Sequence, residues 1–197
     1  KEWISKIQFT LSAGLHAGAL VVSYPFDKVF GIPASDLLFG NRAIHSYNLD
    51  VPIAFNTDLA KAGDFAGGWD SIADPKWRGK VLLEARGILF PLLALKWGEE
   101  RTFALLQKIL DNKPIITKGA SPTADGLAGG QGSVAVGALA ARLTLFKQQG
   151  APVDWIGIEP AIVALHPISI VEKAPHPNAA RLFIDFAISE EGQKIFT

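Results

Sequence analysis

The sequence predicts an α/β fold, because strand-like and helix-like segments alternate along its 197 residues. Short apolar runs rich in Val and Ile, bounded by Gly, Pro or polar residues, are typical of buried strands. Longer segments between them carry apolar residues at helical spacing. This alternation favours mostly parallel sheets covered by helices, an arrangement in which ligands bind where strands end and helices begin.

Six segments have the composition and length of strands. They are preceded or followed by turn residues, which sets their bounds. The predicted strands are 19–23, 51–55, 80–83, 114–117, 133–137 and 162–171.

Three helices are predicted from their start signals. Residues 99–111 begin with an acidic first turn after Gly98, which suits the positive end of a helix. Asn178 is a suitable cap for a helix over 178–188, and Ser189 is a suitable cap for a third, short helix. Helical spacing predicts the apolar faces, which are Phe103, Leu106 and Leu110 in the first helix and Leu182, Phe183 and Phe186 in the second.

The composition excludes several classes of protein. A hydrophobic content of 49% with 19 basic and 19 acidic residues is that of a folded chain and provides no basic excess for binding nucleic acid. The absence of cysteine excludes disulfides, thiolate zinc sites and cysteine nucleophiles. The four histidines do not have the spacing of a zinc hydrolase, so no metal site is predicted.

Residues 7–26 are uncharged apart from histidine and are long enough to cross a bilayer. The segment also contains several polar residues and Pro25, and its second half has the pattern of a short buried strand followed by a turn. We therefore do not predict a transmembrane helix.

The most informative local motif is KPIITKGASPTA, residues 113–124, in which a strand runs into a helix start. Ser121 at the cap with Pro122 at the first helical position is a strong start signal. The first amides of the helix, with the hydroxyls of Ser121 and Thr123, can hold a carboxylate, phosphate or phosphonate oxygen. The alternative is an ordinary capped helix without a ligand.

A second strand-to-helix turn, EARGILFP at 84–91, places Glu84 and Arg86 after the strand KVLL. An arginine at such a position can make two parallel hydrogen bonds to an oxyanion. The alternative is a surface salt bridge, between these two residues or with a neighbour.

Four further residues are candidates for lining a ligand cleft. Two follow the first predicted strand and two lie in the polar stretch NRAIHSYN before the second, and each has a structural role as its alternative. They are Ser23, Tyr24, His45 and Tyr47.

No catalytic residue and no cofactor is predicted. The glycine-rich segments 63–68 and 126–132 match neither a phosphate-binding loop nor a dinucleotide fingerprint, and there is no GxSxG nucleophile motif. An α/β transferase or hydrolase with unidentified catalytic residues remains the alternative to a binding protein.

Several segments together resemble the type II extracellular solute-binding proteins of ABC importers, the group that includes ferric-ion, polyamine, thiamine and phosphonate binders. The C-terminal segment is the most specific of them. The matching segments are VPIAFNTDL (51–59), WDSIADPKWRGKVLL (69–83), ALKWGEERTFALLQKI (94–109), QQGAPVDWIGIEPAIV (148–163) and KAPHPNAARLFIDFAISEEGQKI (173–195).

This resemblance implies a two-lobed protein with its ligand in the cleft between the lobes. Lobe one is expected to combine residues 1–55 with 157–197, and lobe two to span 56–156. The resemblance also implies that the chain lacks the first strand and helix of lobe one and its terminal helices.

The same resemblance implies a non-enzymatic, monomeric receptor, periplasmic or extracellular and associated with the cell surface, that delivers a small solute to an ABC permease. Ferric binders of the group resemble one another in adjacent tyrosines, whereas the matching segment 134–146 contains none. Fe(III) prefers phenolate or carboxylate oxygens as ligands, so the missing tyrosines make iron a disfavoured solute. Arg86 and the helix start at Ser121 favour an anionic solute instead.

Overall fold

The computed structural model describes residues 21–87 and 89–196. These residues form two compact units. One contains the residues up to Asn48 and those from Leu165 onward, and the other spans Leu49–Ala164. The chain thus passes out of one unit and returns to it.

The helices and strands alternate only in the middle of the chain, over residues 99–156. Within the first 100 residues the elements are α1 (Phe26–Phe30), β1 (Leu37–Leu38), β2 (Ala43–Asp50), β3 (Ile53–Asn56), β4 (Val81–Glu84) and α2 (Leu89–Trp97). The later elements are α3 (Glu99–Asp111), β5 (Ile115–Thr117), α4 (Ala120–Ala128), β6 (Val134–Val136), α5 (Ala140–Gln148), β7 (Val153–Ile156), β8 (Val163–Ile168), α6 (Pro177–Ile188) and α7 (Glu190–Phe196). Short 3₁₀ turns occupy Ala34–Asp36, Ala62–Phe65, Gly68–Ala73 and Pro75–Trp77.

The larger unit is built on a five-stranded sheet with the order β5-β4-β6-β3-β7. Strand β4 pairs in parallel with β5 and β6, whereas β3 pairs antiparallel with β6 and β7. The predicted α/β class is confirmed. The sheet is mixed, because alternation of elements along the chain does not determine the direction in which each strand meets its neighbour.

Strand β4 explains why this sheet needs helices on both faces. Leu82 packs into one apolar cluster with Leu127 and Leu143, while Val81 and Leu83 pack into another. All three side chains are buried. A strand buried on both faces is an apolar run without alternation, which is how KVLL reads in the sequence.

The smaller unit contains a three-stranded sheet with the order β1-β2-β8. Among the described residues, the buried side chains of its core are Phe26, Ile44, Ile170 and Ile184. The isolated bridge between Val21 and Val171 also belongs to this unit.

Most predicted strands are confirmed, with bounds that shift by a few residues. Strands β1, β2 and β7 and helices α1, α2 and α5 were not predicted. Strand β2 was missed because it is only half buried and its sequence, AIHSYNLD, is mostly polar after its first two residues. The segment 51–55, expected in lobe one, lies in the larger unit, since β3 pairs with both β6 and β7.

The predicted apolar faces of two helices differ from the buried faces. In α3 the buried residues are Thr102, Leu105 and Ile109, one position before each predicted residue. Of the predicted residues Leu106 packs against the core, whereas Phe103 and Leu110 are exposed. In α6, Ile184 and Ala187 are buried, whereas the predicted residues are among the exposed side chains.

The caps of the C-terminal helices are partly as predicted. His176, and not Asn178, precedes α6, because Pro177 fits the first helical position. Ser189 does cap α7, since its hydroxyl accepts a hydrogen bond of 3.1 Å from the amide of Gly192.

No helix in residues 21–87 and 89–196 is long and apolar enough to cross a membrane. Most of the uncharged segment 7–26, and the first two residues of the predicted strand 19–23, lie outside the described residues.

Candidate functional site

The candidate site lies where β4 and β5 end in the larger unit. The two strands are parallel neighbours, and Glu84, the last residue of β4, is paired in register with Thr117, the last residue of β5. The turns that follow them therefore leave the sheet at the same edge. They line an open cavity of about 520 Å³, whose lining residues are Glu84, Ala85, Arg86, Lys118, Gly119, Ala120, Ser121, Pro122 and Leu139.

Two predicted site residues, Arg86 and Ser121, thus line one cavity although they are 35 positions apart in the sequence. Lys118 was not predicted. The signal that could have identified it is its position, because it follows a strand directly, as the residues after β4 do.

Arg86 and Glu84 form the ion pair that the sequence analysis gave as the alternative to ligand binding. Arg86 Nε donates to Glu84 Oε1 over 2.6 Å. The glutamate is 4% exposed and the arginine 61% exposed. Because only Nε is engaged within the described residues, the two terminal nitrogens of the guanidinium can still bind an oxyanion in the bidentate geometry.

The helix start differs from the prediction at Ser121. Helix α4 begins at Ala120, and Gly119 precedes it in a conformation with φ of +126° that favours glycine. Ser121 is the second helical residue, is exposed and caps nothing, so the predicted cap is wrong. The amides of Ala120 and Ser121 have no acceptor within the described residues, as expected for the first turn of a helix.

Thr123 was predicted to contact the ligand, yet it is completely buried. Its hydroxyl lies 2.8 Å from the carbonyl of Gly119 and 2.5 Å from the hydroxyl of Thr117. The Thr117 hydroxyl in turn lies 3.2 Å from the carbonyl of Leu83. This network connects β4, β5 and α4, and it places Thr123 beneath the cavity as a supporting residue.

We expect Thr123→Val to destabilise the protein by about 1–2 kcal/mol, because the isosteric side chain removes a buried hydrogen-bond network. Chemical denaturation measures this loss. Thr144→Val is the matched control, since the Thr144 hydroxyl makes the same bond to the carbonyl four residues earlier, at 2.9 Å, in a partly exposed position. Equal stability of the two variants would contradict the supporting role.

The charge of the lining favours an anion. Arg86 and Lys118 are cationic, and Glu84 is the only acidic residue among the lining residues. The first turn of α4 adds the positive end of a helix dipole. No histidine or cysteine is among the lining residues.

The other four predicted residues belong to the smaller unit. The exposed Ser23 hydroxyl lies 3.5 Å from the carbonyl of Gly40, and Tyr24 packs against Phe26 and Phe30. His45 Nε2 lies 2.8 Å from the side-chain oxygen of Asn48.

Tyr47 stacks on His166, with ring centroids 4.8 Å apart. His45 and Tyr47 line a cavity of about 750 Å³ that Ser23 and Tyr24 do not line. The four residues therefore do not form one cluster.

Within the part of the chain that the structure describes, no group of three or more His, Asp or Glu side chains is arranged to hold a metal ion.

The fold is shared with solved binding proteins. Iron-bound HitA from Pseudomonas aeruginosa matches at a TM-score of 0.75 and 18% identity, over 91% of this chain and 61% of its own. AfuA from Actinobacillus pleuropneumoniae, with exogenous fructose-6-phosphate bound, matches at a TM-score of 0.73 and 24% identity, over 91% of this chain and 60% of its own. The chain thus spans about 60% of the length of these structures.

Sequence comparison agrees with the fold. An uncharacterized protein of Haemophilus influenzae is 31% identical over 150 residues, which cover 71% of this chain and 43% of that protein. Residues 53–197 match the family model described as bacterial extracellular solute-binding protein. With most of its length matched in this way, the chain belongs to the family of bacterial extracellular solute-binding proteins.

Proposed function

We propose that this chain is part of the substrate-binding component of an ABC importer, and that it binds a small, polar, anionic solute. The observation that carries the proposal is a single cavity lined both by Arg86, whose terminal guanidinium nitrogens are not engaged in the described structure, and by the residues that bear the first amides of α4. Guanidinium groups and helix N-termini both bind oxyanions, and here they line the same space.

The geometry favours an oxyanion over a metal ion as the solute. Segment 134–146, the candidate region for tyrosine ligands, contains the buried strand β6 and provides no phenolate. AfuA with bound fructose-6-phosphate shows that this fold accommodates a phosphate ester. We therefore take phosphate esters and small carboxylates as the first classes of solute to test.

The remaining parts of the proposal follow from the family. The protein acts as a periplasmic or extracellular, cell-surface-associated monomer, has no catalytic activity and transfers its solute to a membrane permease. The two units correspond to the two lobes of such proteins, with the change of unit at residues 48/49 and 164/165.

Oxyanions should stabilise the protein against thermal unfolding, whereas Fe(III) should not. Ligand at 100 times its dissociation constant adds about 2.7 kcal/mol to the free energy of unfolding. Suitable probes are inorganic phosphate, fructose 6-phosphate and small dicarboxylates. Stabilisation by Fe(III) with a visible charge-transfer band would contradict the proposal.

The variant Arg86→Ala tests whether this arginine binds the anion. We expect it to bind the stabilising anion about tenfold more weakly, because a charged hydrogen-bonding group is lost. Arg101→Ala is the control, since Arg101 is similarly exposed and also forms an ion pair, with Asp70 at 3.2 Å, away from the cavity. Calorimetric titration gives both affinities. Unchanged affinity in Arg86→Ala would show that Arg86 forms only a surface salt bridge and does not bind the anion.

A further inference from the structure

Glu84 is an acidic residue in a cavity that otherwise favours anions. It is 4% exposed and is held at the end of a buried strand. Its carboxylate accepts one hydrogen bond, from Arg86 Nε to Oε1. The second oxygen, Oε2, has no hydrogen-bond partner in the described structure.

That second oxygen is accessible to solvent. Among the described residues, the only fully buried side-chain nitrogen or oxygen without a partner is Asp27 Oδ1. Glu84 Oε2 is not such an atom although it lacks a partner, so it contacts solvent, and Glu84 lines the cavity. The cavity therefore presents a hydrogen-bond acceptor beside its cationic donors.

The backbone that carries Glu84 is held in place by its neighbours. A Cβ atom added to Gly137 would lie 2.5 Å from the Cβ of Glu84, so the two chain segments are in direct contact. On the other side, Ala85 donates its amide to the carbonyl of Thr117 over 2.9 Å. The backbone from which the carboxylate extends is thus part of a paired strand, and strands hold a binding group more rigidly than a loop does.

We propose that Glu84 determines specificity: Oε2 accepts a hydrogen bond from the solute, so the site selects anions that carry a hydroxyl beside the charged group. This inference rests on the proposed function. An ionised carboxylate has no proton to donate, and it repels a solute oxygen that has none either. Glu84 also positions Arg86, because the bond to Nε orients the guanidinium.

The predicted class of solute is a hydroxylated oxyanion. It includes hydroxy acids, sugar phosphates with a nearby hydroxyl, and hydrogen phosphate, whose P–OH group is itself the donor. A site that accepts a hydrogen bond discriminates strongly against an analogue without the donor, because its own buried group is then left without a partner.

Hydrogen phosphate and sulfate are suitable probes of this proposal. At mildly alkaline pH both carry two negative charges and have similar shape, but only hydrogen phosphate has a proton to donate. We expect the protein to bind hydrogen phosphate about tenfold more tightly than sulfate in calorimetric titrations.

The variant is Glu84→Gln, which keeps the shape of the side chain and replaces one acceptor oxygen with a donor. We expect the ratio of the two dissociation constants to fall to near one. The ratio is the readout, because removal of a negative charge strengthens the binding of both anions. Asp70→Asn is the control for net charge, since it also removes an acid paired with an arginine, away from the cavity, and it should leave the ratio unchanged.

Equal affinity of the unsubstituted protein for the two anions would overturn the role of Glu84 and leave the proposed anion site intact. A preference for hydrogen phosphate that persists in Glu84→Gln would likewise overturn the role of Glu84 without contradicting the proposed anion site. If the protein binds none of these anions, nor fructose 6-phosphate, nor small dicarboxylates, the proposed function itself fails, and the inference fails with it.

Discussion

Ser121→Asp is expected to weaken oxyanion binding by about 100-fold while the ligand-free protein stays as stable as the parent. Ser121 is exposed in the first turn of α4 and lines the cavity with Arg86. A carboxylate at this position competes for the first amides and for the guanidinium, and it repels the anion at close range. An acidic side chain also interacts favourably with the positive end of the helix, so the stability of the ligand-free protein is not lowered.

Ser121→Asn is the matched control, because asparagine has the size of aspartate without its charge. We expect its affinity to stay within about a factor of two of the parent value, as is usual for exposed substitutions. Titration with inorganic phosphate and fructose 6-phosphate, together with melting temperatures of the ligand-free variants, tests both expectations. Retained affinity in Ser121→Asp would remove this turn from the site and weaken the case for an anionic solute.

Gly137→Ala is expected to lower the free energy of unfolding by about 3 kcal/mol or more, the largest loss of stability among the variants proposed here. Gly137 has φ of +95°, which disfavours any residue with a Cβ atom, and the added Cβ would lie 2.5 Å from the Cβ of Glu84. Since the Cβ of Glu84 is fixed by the backbone of β4, relief requires the strands to shift. Overpacking of this kind adds to the conformational strain.

Gly150→Ala separates these two contributions. Gly150 has a similar φ of +83°, but no atom lies within 4 Å of the position that its Cβ would take. We expect a loss of about 1 kcal/mol from strain alone. Denaturant midpoints of the two variants test the difference, and equal losses would show that contact with Glu84 does not constrain residue 137.

The elements of the fold are largely predictable from the sequence because their signals are local. The run KVLL reads as a strand buried on both faces, and β4 is buried on both faces. Helix 99–111 has the predicted bounds, since Gly98 and two acidic residues mark its start. Its buried face was mispredicted because two stripes with the same period differ by a rotation of about 100°.

The candidate site is predictable only in pieces. Arg86 was identified from its position after a strand, and the turn before α4 from its serine and proline. The burial of Thr123 was not predicted, because it depends on contacts with Thr117 and the carbonyl of Gly119 that local sequence does not specify.

The sequence by itself determined the fold class, the family and the two strand-to-helix turns that bear the candidate groups. Only the tertiary structure decided that these turns share one cavity, because that depends on the parallel register that places Glu84 opposite Thr117. It also decided that Glu84, a lining residue of that cavity, accepts a hydrogen bond from Arg86 through one carboxylate oxygen, whereas the other oxygen has no partner in the described structure. Sequence patterns carry information about a few neighbouring residues, whereas strand pairing joins segments about 30 residues apart. The site depends on that pairing, because it brings the two turns together.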